Sequence, residues 1–311
     1  MPLRILVVDD FAPIRRIVCL ALEKSAGLQV VGESGDGLEA VEKARKLQPD
    51  LILMDIGLPS LNGIEAARRI RDVTPEMKVL FVSQEEPSPA MIRATSAVGA
   101  LGFVQKLHLH RDLPVAMQMA IANVRFISGR ADVCCGSMDS MGHAMQFYSS
   151  EEIFVESFAG FFGTALREGR AAIAMATAAH LDTLARRLQT GGHDVEGAIR
   201  HGTYVPLKVE ELTTRLLSAE RQQFLEGIGD FIDDAAGRSK TGRASVGGEF
   251  SAVVCAQGQV EDGMSIEQTS NNTIRHRSHV DILCACPLPV KPLEDLTFNS
   301  MCAEHSTVYL Q

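Results

Sequence analysis

The sequence predicts an α/β protein of two domains, the first built on a doubly wound five-stranded parallel sheet. Three observations carry this. The chain has 311 residues, which is two domains' worth at roughly 150 residues each. Over residues 1–126, short apolar runs alternate with segments of helical spacing. From residue 143 onward the same alternation returns, after a stretch of small and polar residues without a period.

Ile5-Leu6-Val7-Val8 is an apolar run closed by two acids, the pattern of a strand buried on both faces. Pro13–Lys24 places Ile14, Ile17, Val18 and Ala21 on one helical stripe. Leu28–Gly32 reads as a second strand, and Gly37–Lys46 as a helix with Leu38, Ala40, Val41 and Ala44 inward. Leu51–Met54 is a third strand ending at Asp55, and Asn62-Gly63 opens a helix over Ile64–Arg71. Lys78–Val82 is a fourth strand ending at Ser83, followed by a weaker helix over Pro89–Val98. Leu101–Val104 is a fifth strand ending near Lys106, and Leu113–Phe126 a last amphipathic helix.

In parallel sheets of this kind, chemistry gathers beyond the C-terminal ends of the strands. That rule selects Asp9, Asp10, Asp55, Ser83 and Lys106. Singly, each acid could be a helix cap or a turn residue. Together, three carboxylates at one edge repel each other and call for a cation. Oxygen-only donors completed by water suit Mg²⁺. A carboxylate beside Mg²⁺ can attack a phosphoryl group, and an ammonium and a hydroxyl can then hold the phosphoryl oxygens.

Val7-Val8-Asp9-Asp10, Leu53-Met54-Asp55-Ile56-Gly57-Leu58-Pro59 and Gly102-Phe103-Val104-Gln105-Lys106, in this order and spacing, resemble the receiver domain of bacterial two-component response regulators. The resemblance spans about residues 3–126 and implies a flavodoxin-like fold. It implies Asp55 as the acceptor of a phosphoryl group from a sensor histidine kinase. Asp10 is implied as a direct Mg²⁺ ligand, Asp9 as one through water or hydrogen bonds, and the Gly57 carbonyl as a further ligand. Ser83 and Lys106 are implied to hold the phosphoryl group, and Phe103 to be an aromatic switch. Two positions depart from the family pattern. Gln84, followed by Glu85 and Glu86, stands where a small residue is usual, and Leu107 replaces a common Pro, so no cis peptide is expected there. The resemblance also implies slow self-dephosphorylation, and a homodimer face over about Pro89 to Arg125.

Charge divides along the chain. The net charge is −9, from 30 basic and 39 acidic side chains. Residues 1–126 are neutral, with 15 of each, so the whole excess of acids belongs to residues 127–311. That disfavours nucleic acid as a partner, because binding it needs surplus Lys and Arg on one face. No run of 18 apolar residues occurs, and the N-terminus turns acidic too early for a signal peptide. The expected compartment is the cytoplasm, with the seven cysteines reduced.

The expected domains are residues 1–126, a flexible linker over 127–142, and a second domain over 143–311. In the second domain, Ala144–Tyr148, Ala171–Met175, Thr203–Pro206, Ala244–Val246 and Val280–Cys286 read as strands. Glu151–Arg167, Ala179–Gln189, Glu210–Leu217, Arg221–Ala236 and Glu261–His276 read as helices. Phe154, Phe158, Phe161 and Phe162 share a stripe that reads as core. The P-loop pattern is missing, and the first strand leads to Ser149-Ser150-Glu151-Glu152, with no Gly to cradle a phosphate.

Gly142-His143-Ala144-Met145-Gln146-Phe147-Tyr148, Leu166-Arg167-Glu168-Gly169-Arg170, Ala176-Thr177-Ala178-Ala179-His180, Gly202-Thr203-Tyr204-Val205, Gly248-Glu249-Phe250 and Leu283-Cys284-Ala285-Cys286-Pro287-Leu288 resemble the MEDS-type sensory domain of DcmR-like regulators. That domain is similar to RecA/KaiC-like folds that have lost the P-loop. The sequence departs from the family at Arg170, where Glu is common, and in a long loop over Asp230–Arg243. The resemblance implies sensing or protein interaction, with an unknown protein or small molecule as partner. His143 and Glu249 are the candidate site residues here. As alternatives, His143 bonds structurally at a strand start, and Glu249 is a solvated turn acid. Cys134-Cys135, Cys284, Cys286 and Cys302 could join His143 or His305 in a metal or redox site, although strand cysteines more often act as small apolar residues.

The expected function is that of a response regulator with a non-DNA-binding output domain, not an enzyme. Nucleotide hydrolysis in the second domain and transcriptional control through DNA are the alternatives.

Overall fold

The computed structural model describes residues 2–23, 25, 27–129, 142–288 and 296–310. The chain divides into two compact units, Met1–Ser128 and Gly129–Gln311. Of the expected linker, residues 130–141 lie outside the described residues, Cys134 and Cys135 among them, while residues 127 and 128 belong to a strand.

In the first unit, β1 (Leu3–Val8), β2 (Leu28–Ser34), β3 (Leu51–Asp55), β4 (Lys78–Ser83), β5 (Gly102–Gln105) and β6 (Arg125–Ser128) lie in the order β2-β1-β3-β4-β5-β6. All neighbouring strands are parallel. Helices α1 (Ala12–Glu23), α2 (Gly37–Leu47), α3 (Gly63–Val73), α4 (Pro89–Ala97) and α5 (Leu109–Ile121) connect them. Every residue of β3 is buried, as its unbroken apolar run requires. Asp36, Asn62 and Ser88 cap α2, α3 and α4 through their side-chain oxygens, so the helix starts are fixed locally. Ile17 and Leu38, expected inward, are about half exposed.

The five-stranded sheet and the helix running to Phe126 need correction: the unit has a sixth strand. Helix α5 stops at Ile121 because Asn123 adopts a left-handed φ of 60°. The Val124 amide then donates back to the Met119 carbonyl at 2.9 Å, closing the helix end. Beyond that turn Arg125–Ser128 pairs with β5, setting Phe126 opposite Gly102 and Ile127 opposite Phe103. Ser128 Oγ accepts the Gln105 amide at 3.0 Å and donates to the buried Asp112 carboxylate of α5. The strand thus occupies the outer edge of β5, within the face expected to form a homodimer.

In the second unit, β7 (His143–Tyr148), β8 (Ala171–Ala176), β9 (Tyr204–Lys208), β10 (Ala244–Gly248), β11 (Val280–Pro287) and β12 (Thr307–Leu310) run in the order β12-β7-β11-β10-β8-β9. These pairs too are parallel. Helices α6 (Glu151–Arg167), α7 (Ala178–Thr190), α8 (Val195–Arg200), α9 (Val209–Leu216), α10 (Arg221–Gly237), α11 (Phe250–Ala256), α12 (Val260–His276) and α13 (Leu296–Ala303) complete it. The four phenylalanines of α6 are core, with Phe154 and Phe158 stacked at 4.8 Å between ring centroids. The long loop expected over Asp230–Arg243 is mostly helix, because α10 continues to Gly237. Among the described residues no helix is long and apolar enough to cross a membrane, and no peptide bond is cis.

Gly102 tests the sixth strand. A Cβ there would lie 2.1 Å from the Phe126 carbonyl oxygen, so Gly102→Ala should destabilise the first unit by about 1–3 kcal/mol in chemical denaturation. A neutral substitution would mean that no strand lies against Gly102.

Candidate functional site

The parallel register brings the expected residues of the first unit to one edge. Val8 pairs with Met54, so Asp9 and Asp55 project from adjacent strand ends. Lys106 opens a single 3₁₀ turn directly after β5. Its ammonium reaches between the two acids, with Nζ 2.7 Å from Asp9 Oδ2 and 2.8 Å from Asp55 Oδ2. All three side chains are nearly buried, at 6%, 4% and 7% exposed for Lys106, Asp9 and Asp55. The remaining Asp9 oxygen accepts the Phe11 amide at 2.9 Å, and Asp55 Oδ1 accepts the Gly57 amide at 3.3 Å. Asp10 is exposed, and oxygens of Asp9, Asp10 and Asp55 lie within 4.8 Å of one another.

The electrostatics follow from burial. Burial is the largest influence on Asp9 and pushes its carboxyl above the ordinary range; the Lys106 bond opposes this, and the Asp55 charge adds to it. Burial pulls the Lys106 ammonium downward, but its bonds to Asp55 and Asp9 outweigh that and hold it above its ordinary value. Three carboxylates therefore meet a single ammonium, leaving an uncompensated charge of about −2.

Ser83 ends β4 beside this cluster and is buried; its Oγ accepts the Glu85 amide at 3.2 Å. Gln84, Glu85 and Glu86 are exposed directly after it. Phe103 is fully buried on β5, opposite Phe81.

The second unit has its own cluster beyond the strand ends. Gly248 takes a φ of 145°, and a Cβ there would lie 1.8 Å from the Met175 carbonyl oxygen. This tight passage places Glu249 under the start of α7. Glu249 is not a solvated turn acid, since it is 4% exposed. Its Oε1 lies 2.6 Å from His180 Nδ1 and accepts the Thr177 amide at 3.0 Å, while Tyr148 Oη donates to Oε2 at 3.3 Å. Burial pushes the Glu249 carboxyl up, but the His180 bond and the Thr177 amide bring it below the ordinary range. The Glu249 bond in turn raises His180, and burial beside Glu249 raises Tyr148.

His143 begins β7, is 2% exposed, and sets Nδ1 2.9 Å from Asn271 Oδ1. A cavity of about 230 Å³ lies elsewhere in the unit, lined largely by apolar residues including Met175, Leu207, Phe224, Ile228, Phe231 and Phe250. The Arg215 guanidinium stands 5.0 Å over the Phe224 ring at this cavity.

Sequence reasoning gave no site role to His180, Glu267 or Arg215. Glu267 had a signal: it lies on the buried stripe of α12 with Gly263 and Ile266, where an acid needs a partner. His180 had two signals, its place in the first turn after β8 and the Ala176–His180 stretch that resembles the sensory family.

The Glu249 pair predicts a titration. A histidine raised by its partner contributes stability that is complete below the unfolded pKa, about 6.5, and is lost as pH rises through the folded value. By NMR the His180 ring should titrate above 6.5 and fall in Glu249→Gln. An ordinary value in both proteins would contradict the pair.

Comparison with known proteins agrees with this division. A model of the response regulator receiver domain matches residues 5–118, and one of the MEDS domain, "MEthanogen/methylotroph, DcmR Sensory domain", matches residues 142–297. Response regulator GacA of Pseudomonas viridiflava is 37% identical over 126 residues, covering 40% of this chain and 58% of GacA. The protein-glutamate methylesterase/protein-glutamine glutaminase of Thermotoga maritima is 42% identical over 106 residues, covering 34% of this chain and 31% of that protein. The solved response regulator domain of Thermotoga maritima CheB is 38% identical, covers 40% of this chain and 94% of its own, and has a TM-score of 0.35. The chain belongs to the MEDS family, and a response regulator receiver domain precedes its MEDS domain.

Proposed function

We propose that this protein is a two-component response regulator whose receiver accepts a phosphoryl group on Asp55 from a sensor histidine kinase, changing what the MEDS domain binds. The observation that carries this is the Lys106 ammonium held between Asp9 and Asp55, with Asp10 alongside. An Asp55 carboxylate oxygen attacks phosphorus, the P–N bond to the kinase imidazole breaks, and the released imidazole takes up a proton. The P–O bond formed makes Asp55 an acyl phosphate.

The donor set fits Mg²⁺. Asp9, Asp10 and Asp55 offer oxygens close together, and the surplus negative charge needs a hard cation, to which the Gly57 carbonyl, two residues past Asp55, adds a further donor. Bound there, Mg²⁺ supplies charge neutralisation for the incoming phosphoryl oxygens. Lys106 then exchanges a carboxylate for a phosphoryl oxygen, and Ser83 turns its hydroxyl from the Glu85 amide toward the same group. Phe103, already buried, holds the inward position of the switch. Exposed Glu85 and Glu86 add negative charge at the entrance and slow the approach of phosphodonors.

The MEDS domain acts in this scheme as a binding module. A RecA/KaiC-like ancestry is supported by its all-parallel sheet, and nucleotide hydrolysis is opposed by the start of α6. There Ser150 caps the helix and Glu151 and Glu152 occupy its first turn, so the positive helix end is already matched and repels phosphate. The apolar cavity favours a small apolar ligand as the sensed molecule. The acidic excess of this half of the chain favours a protein or small molecule over DNA as partner.

The test is intact-mass detection after exposure to acetyl phosphate and Mg²⁺. Wild type should gain one phosphoryl group, and Asp55→Asn none. A variant that gains one at the wild-type rate excludes Asp55 as the acceptor.

A further inference from the structure

Four buried side chains of the second unit converge on one point. His143 begins β7, Glu267 lies on α12, Cys284 lies on β11, and His305 follows α13. Their exposures are 2%, 0%, 9% and 3%. His143 Nε2 is 3.1 Å from Glu267 Oε2 and 3.4 Å from Cys284 Sγ. His305 Nε2 is 3.2 Å from the same Glu267 oxygen, and Cys284 Sγ is 3.4 Å from it. One donor atom from each of the four lies within 4.8 Å of all the others.

These separations are those of a metal coordination shell. Zn–N and Zn–O bonds of about 2.0–2.1 Å and a Zn–S bond of about 2.3 Å give tetrahedral edges of about 3.3–3.6 Å. The surroundings orient the donors in the same sense. His143 Nδ1 lies 2.9 Å from Asn271 Oδ1, and Asn271 is held in turn by Glu304 at 2.7 Å. His305 Nδ1 lies 2.6 Å from the Met301 carbonyl. Both Nδ1 atoms therefore carry the proton, which leaves both Nε2 lone pairs aimed at the shared centre. Glu267 accepts the Ser251 hydroxyl at Oε1 and turns Oε2 to that centre, where it accepts the Cys284 thiol.

One atom shows that the protein alone does not complete the arrangement. His305 Nε2 is fully buried and is left without a hydrogen-bond partner among the described residues, although Glu267 Oε2 lies 3.2 Å away. Two imidazole lone pairs facing one carboxylate are mutually repulsive unless a cation lies between them.

We propose that His143, Glu267, Cys284 and His305 form a closed tetrahedral Zn²⁺ site. A donor set of two imidazoles, one thiolate and one carboxylate suits zinc and rejects Mg²⁺ and Ca²⁺. On binding, Cys284 loses its proton to solvent, and the thiolate and carboxylate balance the two charges of the ion, so the buried centre is neutral. The site draws on only part of the cysteine and histidine set singled out in the sequence: it takes His143, His305 and Cys284, and adds Glu267. Cys286 and Cys302 are not ligands. With all four positions filled by protein, the ion ties β7, β11, α12 and the turn before β12 together and leaves no open position for chemistry.

The experiment uses the full-length protein, stripped with a chelator and titrated with Co²⁺ and then Zn²⁺. Wild type should show a thiolate-to-cobalt charge-transfer band and tetrahedral d–d absorption that saturate at one equivalent and vanish as Zn²⁺ displaces Co²⁺. Cys284→Ser should abolish the charge-transfer band, whereas Cys286→Ser should keep it. His305→Gln should weaken metal binding by at least about tenfold, and Asn271→Ala, which only positions His143, should cost about 10–100-fold while preserving the band. Wild-type protein that shows no thiolate band, or only octahedral absorption, overturns the proposal without recourse to any variant. So does a band that survives Cys284→Ser.

Discussion

The Lys106 ammonium lies under 3 Å from both Asp9 and Asp55, and all three groups are nearly out of water. Two buried carboxylates at adjacent strand ends repel strongly at short range, and one ammonium must hold both. Much of the first unit serves that contact. The β1–β3 register sets the acids side by side. The end of β5 delivers Lys106 to them, and Ser128 on β6 fixes the residue just before it through the Gln105 amide. Asp10 and the exposed acids after Ser83 add charge that Lys106 does not balance. The site is thereby poised for a further cation and for a group that can take the ammonium from a carboxylate.

The second unit meets the same physical problem at two ends of one strand. Tyr148 closes β7 and joins Glu249 and His180, where a proton shared with imidazole balances the buried acid. His143 opens β7, about 17 Å away along a six-residue strand at roughly 3.3 Å per residue. There the inner oxygen of Glu267 faces two histidines and a thiol. A buried acid whose neighbours are all matched rigidifies its surroundings, and one that faces a buried, unpartnered imidazole nitrogen marks a place where something else binds.

Much of the first unit was legible because its information is local. Apolar runs that end in acids mark buried strands and their chemical ends together, and Asp36, Asn62 and Ser88 announce helix starts. The sixth strand escaped because Leu113 to Phe126 keeps an amphipathic pattern across the α5 boundary; only the left-handed Asn123 breaks it. In the second unit the four phenylalanines of α6 fixed one helix plainly. Helices α8 and α11 are too short to show a period, and β12 has only four residues. The polar clusters were legible only in part. His143 and Glu249 stand at strand ends, where position alone suggests chemistry. Glu267 and His180 take their meaning from partners far away along the chain, and spacing carries no trace of that.

One buried ammonium makes two buried carboxylates compatible, and a divalent cation can share that task. Thermal unfolding of Lys106→Met beside wild type, each with and without Mg²⁺, tests this most directly. The variant should melt lower without Mg²⁺ and gain more from Mg²⁺ than wild type gains. Equal melting of the two proteins without Mg²⁺, or an equal gain from it, would contradict that role for Lys106.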